Sequence, residues 1–447
     1  MTRSPTLLRM TAPLVVSFWM RAAVTFVDTI FAAILGDAAL AAVGLAVPFE
    51  FLMLAVWVGL STGLTSAMAR AMGSGQGERI RQYTQASWRV VLIMVPIFAA
   101  LGVAIWVGAP RSGLEPATAR AFQVYGSVLI GGSAFSVFWS VIPDSLVKAH
   151  QDTRSTMWAG IFTNALNVGL NTLFLFVFNW GVFGIALSTV LGRFGGLSYA
   201  LVQARRHERR RTGMGETPGR DADPQPYRAI LALALPASVT FALVALEGGF
   251  VNGILTQLDH ATEALAAYSI YYRVVLFALQ PVIAASVAVL PFVAHRWGEG
   301  DVPAIRHSLA QVHRALLVYS GLVVAPVLLA LAPWLAERLT ESEITRQYTL
   351  FALRLVPVAC LVGGPFLLCR PAFEGLNRGR PGVVMAAARY LVLTGPLAWL
   401  GVSVSTALGF APLYGLIAGL LVAATIASVG FRIWLGIELR SRETAAA

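Results

Sequence analysis

Three ionisable side chains stand inside the first two apolar runs of the chain, in FWMRAAVTFVDTIFAAILGDAALAAVGLAVPFEF (residues 18–51): Arg21, Asp28 and Glu50. Charge in such surroundings is costly to desolvate, so it is normally paired, hydrated or put to use. A carboxyl held among apolar groups titrates nearer neutrality than one in water, which suits proton loading and release. Asp28 is the acid with that chemistry, and its alternative role is to cap a neighbouring helix. Arg21 precedes it by seven residues, hence on the same helix face and about 10.5 Å along the axis. Glu50, on the returning run, differs from Arg21 in depth by only about 3 Å, which makes it the best-placed partner for that arginine. In the second half, Glu247 is the only acid deep within a predicted helix. It either contacts a cationic substrate or pairs with Arg273.

Other motifs fail on context. GLSTG (59–63) fits G-x-S-x-G, but no strand precedes it, and the six histidines fall in loops or at helix ends. GSGQG (73–77) imitates a phosphate loop without the strand–loop–helix setting that such a loop needs. Cys360 and Cys369, nine apart on one predicted helix, point to opposite faces and cannot form a disulfide. No zinc or haem spacing exists, and no catalytic constellation. The chain is therefore expected not to be an enzyme, and to hold no metal and no cofactor beyond H⁺ or Na⁺ as a coupling ion.

The elements that must carry these residues are read from hydropathy. The chain has 447 residues, 57% hydrophobic and 12% charged, with a mean hydropathy of +0.71. Soluble domains carry about 25% charged residues. Apolar windows of about 20 residues, enough to cross a bilayer, recur along the whole length. Twelve spans are predicted, near 11–35, 38–68, 84–108, 118–147, 155–179 and 182–204, then 228–256, 262–294, 307–333, 347–373, 381–404 and 411–437. The texture of turn residues without alternation argues for helices over a barrel. The first run, too long and too charged for a signal peptide, is read as a retained span. The tails and every second loop hold twenty Lys and Arg, and the alternate loops hold three. Positive charge stays inside, so both termini are expected in the cytoplasm of a cell (inner) membrane. The cluster ARRHERRRTGMGETPGRDADPQPYR (204–228) reads as a linker at the membrane edge touching anionic lipid, not as a nucleic-acid patch.

That linker separates two copies of one unit. ALAA at 39–42 recurs at 264–267, and Gly73, Gly75, Ile80 and Arg81 recur as Gly298, Gly300, Ile305 and Arg306, all shifted by 225. The expected organisation is an N-terminal six-helix lobe (1–204), a basic linker (205–227) and a C-terminal six-helix lobe (228–447). Parallel copies of this kind are a transporter architecture. The pairs Gly192/Gly196 and Gly415/Gly419 read as close helix packing.

VDTIFAAILGDAALAAVGLAVP, GLSTGLTSAMARAMGSGQ, DTRSTM and NALNVGLNTLFLF, followed by LPFVAHRWGEG and GLNRGRPGVVM, resemble the multidrug and toxic compound extrusion (MATE) family, its DinF-like branch most. The resemblance covers nearly the whole chain in order. It implies a twelve-helix, two-lobe fold and export of organic molecules driven by inward H⁺ or Na⁺. It also implies that Asp28 is the proton- or cation-binding acid of the first lobe, with Asn167 and Thr189 matching the family's asparagine and hydroxyl. Asn171 stands where many members have a second aspartate, and Arg193 where relatives often carry Gln or Glu. For Asn171 and Thr189 a purely structural hydrogen bond between helices is the competing reading. Arg21 and Arg193 are either neutralised structurally or make a cavity that accepts anionic character. The expectation is an H⁺-coupled antiporter of cationic or amphipathic compounds, working in lipid without an obligate protein partner. A lipid-linked sugar or metabolite flippase of the same superfamily is the alternative.

Overall fold

The computed structural model describes residues 6–213, 222–340 and 342–446, with side chains throughout except at 23–29, 213, 245 and 442–446. Every regular element among these residues is helical. In the first half the helices are α1 (Leu7–Ile34), α2 (Asp37–Gly73), α3 (Gly77–Gly108), α4 (Pro116–Ala149), α5 (Thr153–Thr172) and α6 (Gly181–Gly213). The second half begins with α7 (Pro226–Leu255), α8 (Ala261–Ala278), α9 (Gln280–Glu299), α10 (Val302–Tyr319) and α11 (Ala325–Leu339). It ends with α12 (Glu343–Arg354), α13 (Val356–Gly375), α14 (Arg380–Ala387), α15 (Thr394–Ala407) and α16 (Pro412–Ala446).

Sixteen helices make twelve crossings because several crossings are interrupted. Among the described residues eleven helical segments are long and apolar enough to span a membrane, and α1, 28 residues long, adds one more. The eighth crossing is split into α8 and α9 just before Pro281, and the tenth into α12 and α13 just before Pro357. Proline has no N–H to donate and its ring crowds the preceding turn, so a helix restarts there. Wide π turns at Ser320–Val324 and Ala388–Leu393 join α10 to α11 and α14 to α15, and a third, Leu173–Val177, ends α5. Large apolar side chains point outward, with Leu92 68% and Leu322 73% exposed. An apolar exterior of this extent suits lipid, not water.

The chain packs as two compact units. The first comprises 9–238 with 290–299, and the second 6–8 with 239–289 and 300–446. In the first, α4 lies against α2, α3 and α6, and α5 against α6. Phe138, Leu129, Leu64 and Met68 are fully buried there. Glycines set the helix spacing: a Cβ at Gly102 would strike Gly131, and one at Gly192 or Gly196 would strike Thr163. The GLSTG stretch is part of this seam, since Gly59 and Gly63 face the carbonyls of Ala234 and Ile230 on α7.

In the second unit, α15 and α16 meet at Gly401, Gly415 and Gly419, whose neighbours are one another's backbone atoms and Leu397. The close packing expected of both small-residue pairs is therefore present. Phe373 stacks on Phe431 at 5.3 Å, holding α13 to α16. Cys360 and Cys369 are buried and free. One histidine departs from expectation: His313 is buried in the body of α10, its ring donating from Nδ1 to the Leu309 carbonyl at 2.8 Å. The predicted span began at 307, which put His313 near an end, whereas the helix starts at Val302.

At the basic end of the first unit, Asp152 caps α5, accepting from Ser155 N at 3.0 Å and Ser155 Oγ at 2.6 Å. His207 Nε2 reaches the same carboxylate at 2.8 Å, and His150 reaches Glu208 at 2.9 Å with the two imidazoles stacked. Burial acts to raise the Asp152 carboxyl; the bonds from His207 and Ser155 outweigh it and hold its pKa down at about 2.

Candidate functional site

Asn167 and Asn171, four residues apart, share one face of α5. Both are buried, at 4% and 0% exposure, where an unsatisfied amide is costly. The amide nitrogen of Asn167 donates to Thr189 Oγ1 on α6 at 3.0 Å. Ser188 Oγ, one residue away on the same helix, donates to Asn171 Oδ1 at 2.8 Å. This approach depends on Gly192, whose absent Cβ leaves room for Thr163 O and the backbone of Asn167. The wide turn at Leu173–Val177 follows directly, and such turns recur at functional positions in helices. Asn167 Oδ1 is buried and accepts no hydrogen bond from any described residue. The result is a small polar island of two amides and two hydroxyls, with one acceptor oxygen left over. Asp28 lies in α1, but its side chain lies outside the described residues.

A second cluster in the same unit holds charge. Arg193 on α6 donates through Nη2 to Glu50 Oε1 at 2.7 Å and through Nη1 to Ser133 Oγ on α4 at 2.6 Å. Arg21 is near enough to feel both the Glu50 and the Arg193 charges. The three expected charge partners are thus brought together, and Glu50 accepts its hydrogen bond from Arg193, a partner that depth alone does not assign to it. Depth ranks residues along a helix but does not say which helices are neighbours. Here α4, packed between α2 and α6, aligns Glu50 with Arg193. The two side chains remain 33% and 25% exposed, so the pair is reachable and not sealed.

The second unit carries its own polar cluster. Glu247 Oε1 on α7 accepts from Thr394 Oγ1 at 2.9 Å, and that hydroxyl also lies 2.9 Å from the Arg389 carbonyl. One hydroxyl has one proton, so it serves one acceptor at a time. The wide turn Ala388–Leu393 is what puts residue 389's carbonyl within reach of residue 394. Arg389 lies over the rings of Phe366 and Tyr390, each at 4.9 Å, a cation–π arrangement. Its charge, with Tyr272 and Tyr268, is the electrostatic neighbourhood of Glu247. Arg273, the partner considered from sequence, is exposed, and Glu247 instead bonds Thr394.

Sequence reasoning missed Ser133, Ser188, Arg389 and Thr394. Arg389 was findable, being a charge inside a predicted span exactly as Arg193 is. The serines and Thr394 were not, because short hydroxyl residues are common in membrane helices for packing alone. Among the described residues no group of three or more His, Cys, Asp or Glu is placed to hold a metal ion.

The MatE family model matches residues 13–173 and 236–400 of the chain. A protein named FAD transporter from Shewanella oneidensis is 24% identical over 408 residues, covering 88% of this chain and 87% of its own length. A probable multidrug resistance protein NorM from Bradyrhizobium diazoefficiens is 25% identical over 427 residues, covering 88% and 85%. Among solved structures, the outward-facing conformation of a multidrug resistance MATE family transporter of the MOP superfamily superposes with a TM-score of 0.87. It is 21% identical, and the match covers 98% of this chain and 96% of that one.

Proposed function

The chain belongs to the MATE family of membrane transporters, multidrug efflux proteins and not enzymes, and from that premise we propose that it is an H⁺-coupled antiporter exporting organic amphipathic compounds. Both termini lie in the cytoplasm in this reading. The halves 1–204 and 228–447, joined by the basic segment 205–227, open alternately to the two sides of the membrane.

The observation that carries the choice of ion is the chemistry of the α5–α6 island. Sodium must exchange its hydration shell for protein oxygens, and a second carboxylate would favour that exchange. Position 171 holds a neutral amide whose oxygen already accepts from Ser188. The one acceptor left over, Asn167 Oδ1, wants a hydrogen-bond donor. A protonated carboxyl is such a donor and a carboxylate is not. Asp28 is then the proton carrier, Asn167 and Thr189 its polar surroundings, and Asn171 a helix-pairing residue.

For the substrate, Glu247, Thr394 and the Arg389 cation over aromatic rings form the contact set assigned to the second unit. A second reading is supported by the excess positive charge of Arg21 and Arg193 over Glu50, together with the relative named FAD transporter. In it, the cargo is an anionic aromatic compound of the flavin nucleotide class.

Expression in a pump-deficient host, scored for resistance to lipophilic cations and for flavin in the medium, separates the two. Resistance without flavin release supports the first, and flavin release without resistance supports the second. Neither phenotype, at verified membrane expression, removes the export function.

A further inference from the structure

The polar cluster of the second unit holds two opposite charges that do not meet. Glu247 on α7 is held by the Thr394 hydroxyl at 2.9 Å, and Arg389 lies over the rings of Phe366 and Tyr390, each at 4.9 Å. The Arg389 charge acts on Glu247, yet no ion pair joins them among the described residues. The Arg389 side chain donates no hydrogen bond to any described residue, and its Nε is buried without an acceptor. Glu247 accepts only the one bond from Thr394. Opposite charges in apolar surroundings gain by closing on each other. Here a hydroxyl holds one and two aromatic faces hold the other, so each keeps an unmatched side.

That arrangement selects among ligands. A cation alone answers Glu247 and leaves Arg389 unmatched, and an anion alone does the reverse. A molecule that carries both charges answers each and adds no net charge to the site. Its charged groups must also lie close together, because one hydroxyl, that of Thr394, reaches both the Glu247 carboxylate and the backbone of Arg389.

The third feature is aromatic. Tyr268 and Tyr272 both feel the Glu247 and Arg389 charges, and their rings stack at 6.2 Å with 20° between the planes. Tyr268 is half-buried and Tyr272 is 44% exposed, which leaves the pair surface for a further ring.

We infer that this cluster binds aromatic amino acids and their compact relatives, with the carboxylate on Arg389, the ammonium on Glu247 and the ring against Tyr268 and Tyr272. The assignment deepens the export reading and rests on it, naming a cargo class for the contact set of the second unit.

The test is binding of tritiated phenylalanine to the purified full-length protein in neutral detergent, displaced by three derivatives with the same ring. The methyl ester keeps only the ammonium, N-acetylphenylalanine keeps only the carboxylate, and N-acetylphenylalanine methyl ester keeps neither. Unlabelled phenylalanine is expected to displace about tenfold better than either singly charged derivative, one charge-assisted hydrogen bond's worth. Arg389→Gln is expected to erase its advantage over the methyl ester, and Glu247→Gln its advantage over N-acetylphenylalanine. Poor folding would lower all affinities together and would not exchange one preference for another. Arg389→Lys, which keeps the charge, is expected to retain part of the preference and serves where Arg389→Gln folds poorly. Equal displacement by charged and neutral derivatives, no measurable binding, or a preference that survives both neutral substitutions overturns the inference. Charge-selective binding without export of any compound in the host overturns the export reading and leaves the site; export without charge-selective binding does the reverse.

Discussion

Neutralising Glu50 should damage the protein more than neutralising Arg193, although the two are partners. The cluster holds two arginines and one glutamate, with Arg193 on Glu50 at 2.7 Å and Arg21 within electrostatic reach of both. Glu50→Gln removes the negative charge that both guanidinium groups feel and leaves their mutual repulsion in place. Arg193→Gln leaves Glu50 facing Arg21, a balanced pair. Removing one member of a buried pair costs about 3–5 kcal/mol. With a quarter to a third of each side chain exposed, that figure is discounted to roughly 1–3 kcal/mol for Glu50→Gln. Arg193→Gln should cost about 1 kcal/mol less, with Ser133 losing a donor it received at 2.6 Å. The double variant should recover part of the Glu50→Gln loss. Equilibrium unfolding in mixed micelles, arranged as a double-mutant cycle, reads all three quantities. Additivity within about 0.5 kcal/mol, or a larger loss for Arg193→Gln, would refute the reasoning.

Asn171→Asp restores the second acid and should make transport respond to Na⁺; an unchanged cation dependence would place residue 171 outside the ion site. Gly192→Leu must push α5 from α6, since even a Cβ there meets Thr163 O. It should abolish transport and lower the melting temperature, and wild-type behaviour in both would contradict the close packing. The Asp152 carboxyl, at about 2 in the fold against about 3.9 in an unfolded chain, contributes stability present above about pH 4 and lost as pH falls towards 2. Asp152→Asn keeps the cap but should flatten the melting temperature across that window, which thermal scans at stepped pH would show.

Much of the fold was legible because bilayer thickness imposes a length that hydropathy windows detect. The interruptions were not: Pro281 and Pro357 split two crossings without altering their apolar content. Glycine pairs such as Gly192/Gly196 were readable because spacing alone puts them on one face, and a missing Cβ has few other uses there. The island of Asn167 and Thr189 was reached through family resemblance, and the structure brings the two within 3.0 Å. The contacts of Glu50 with Arg193 and of Glu247 with Thr394 were not legible for one reason. Arg193 lies 143 residues from Glu50, and Thr394 147 from Glu247, and neither helix adjacency is written in local spacing.

The central claim, export driven by protons through Asp28, is tested most directly in proteoliposomes that contain only this protein. Substrate flux is followed while a pH gradient or a Na⁺ gradient is imposed separately, with lumenal pH recorded in the same vesicles. The account predicts flux under the pH gradient, proton movement in the opposite direction, collapse with protonophore, and loss of both signals in Asp28→Asn at matched incorporation. Flux driven by Na⁺ alone and insensitive to protonophore, or undiminished coupling in Asp28→Asn, would contradict it.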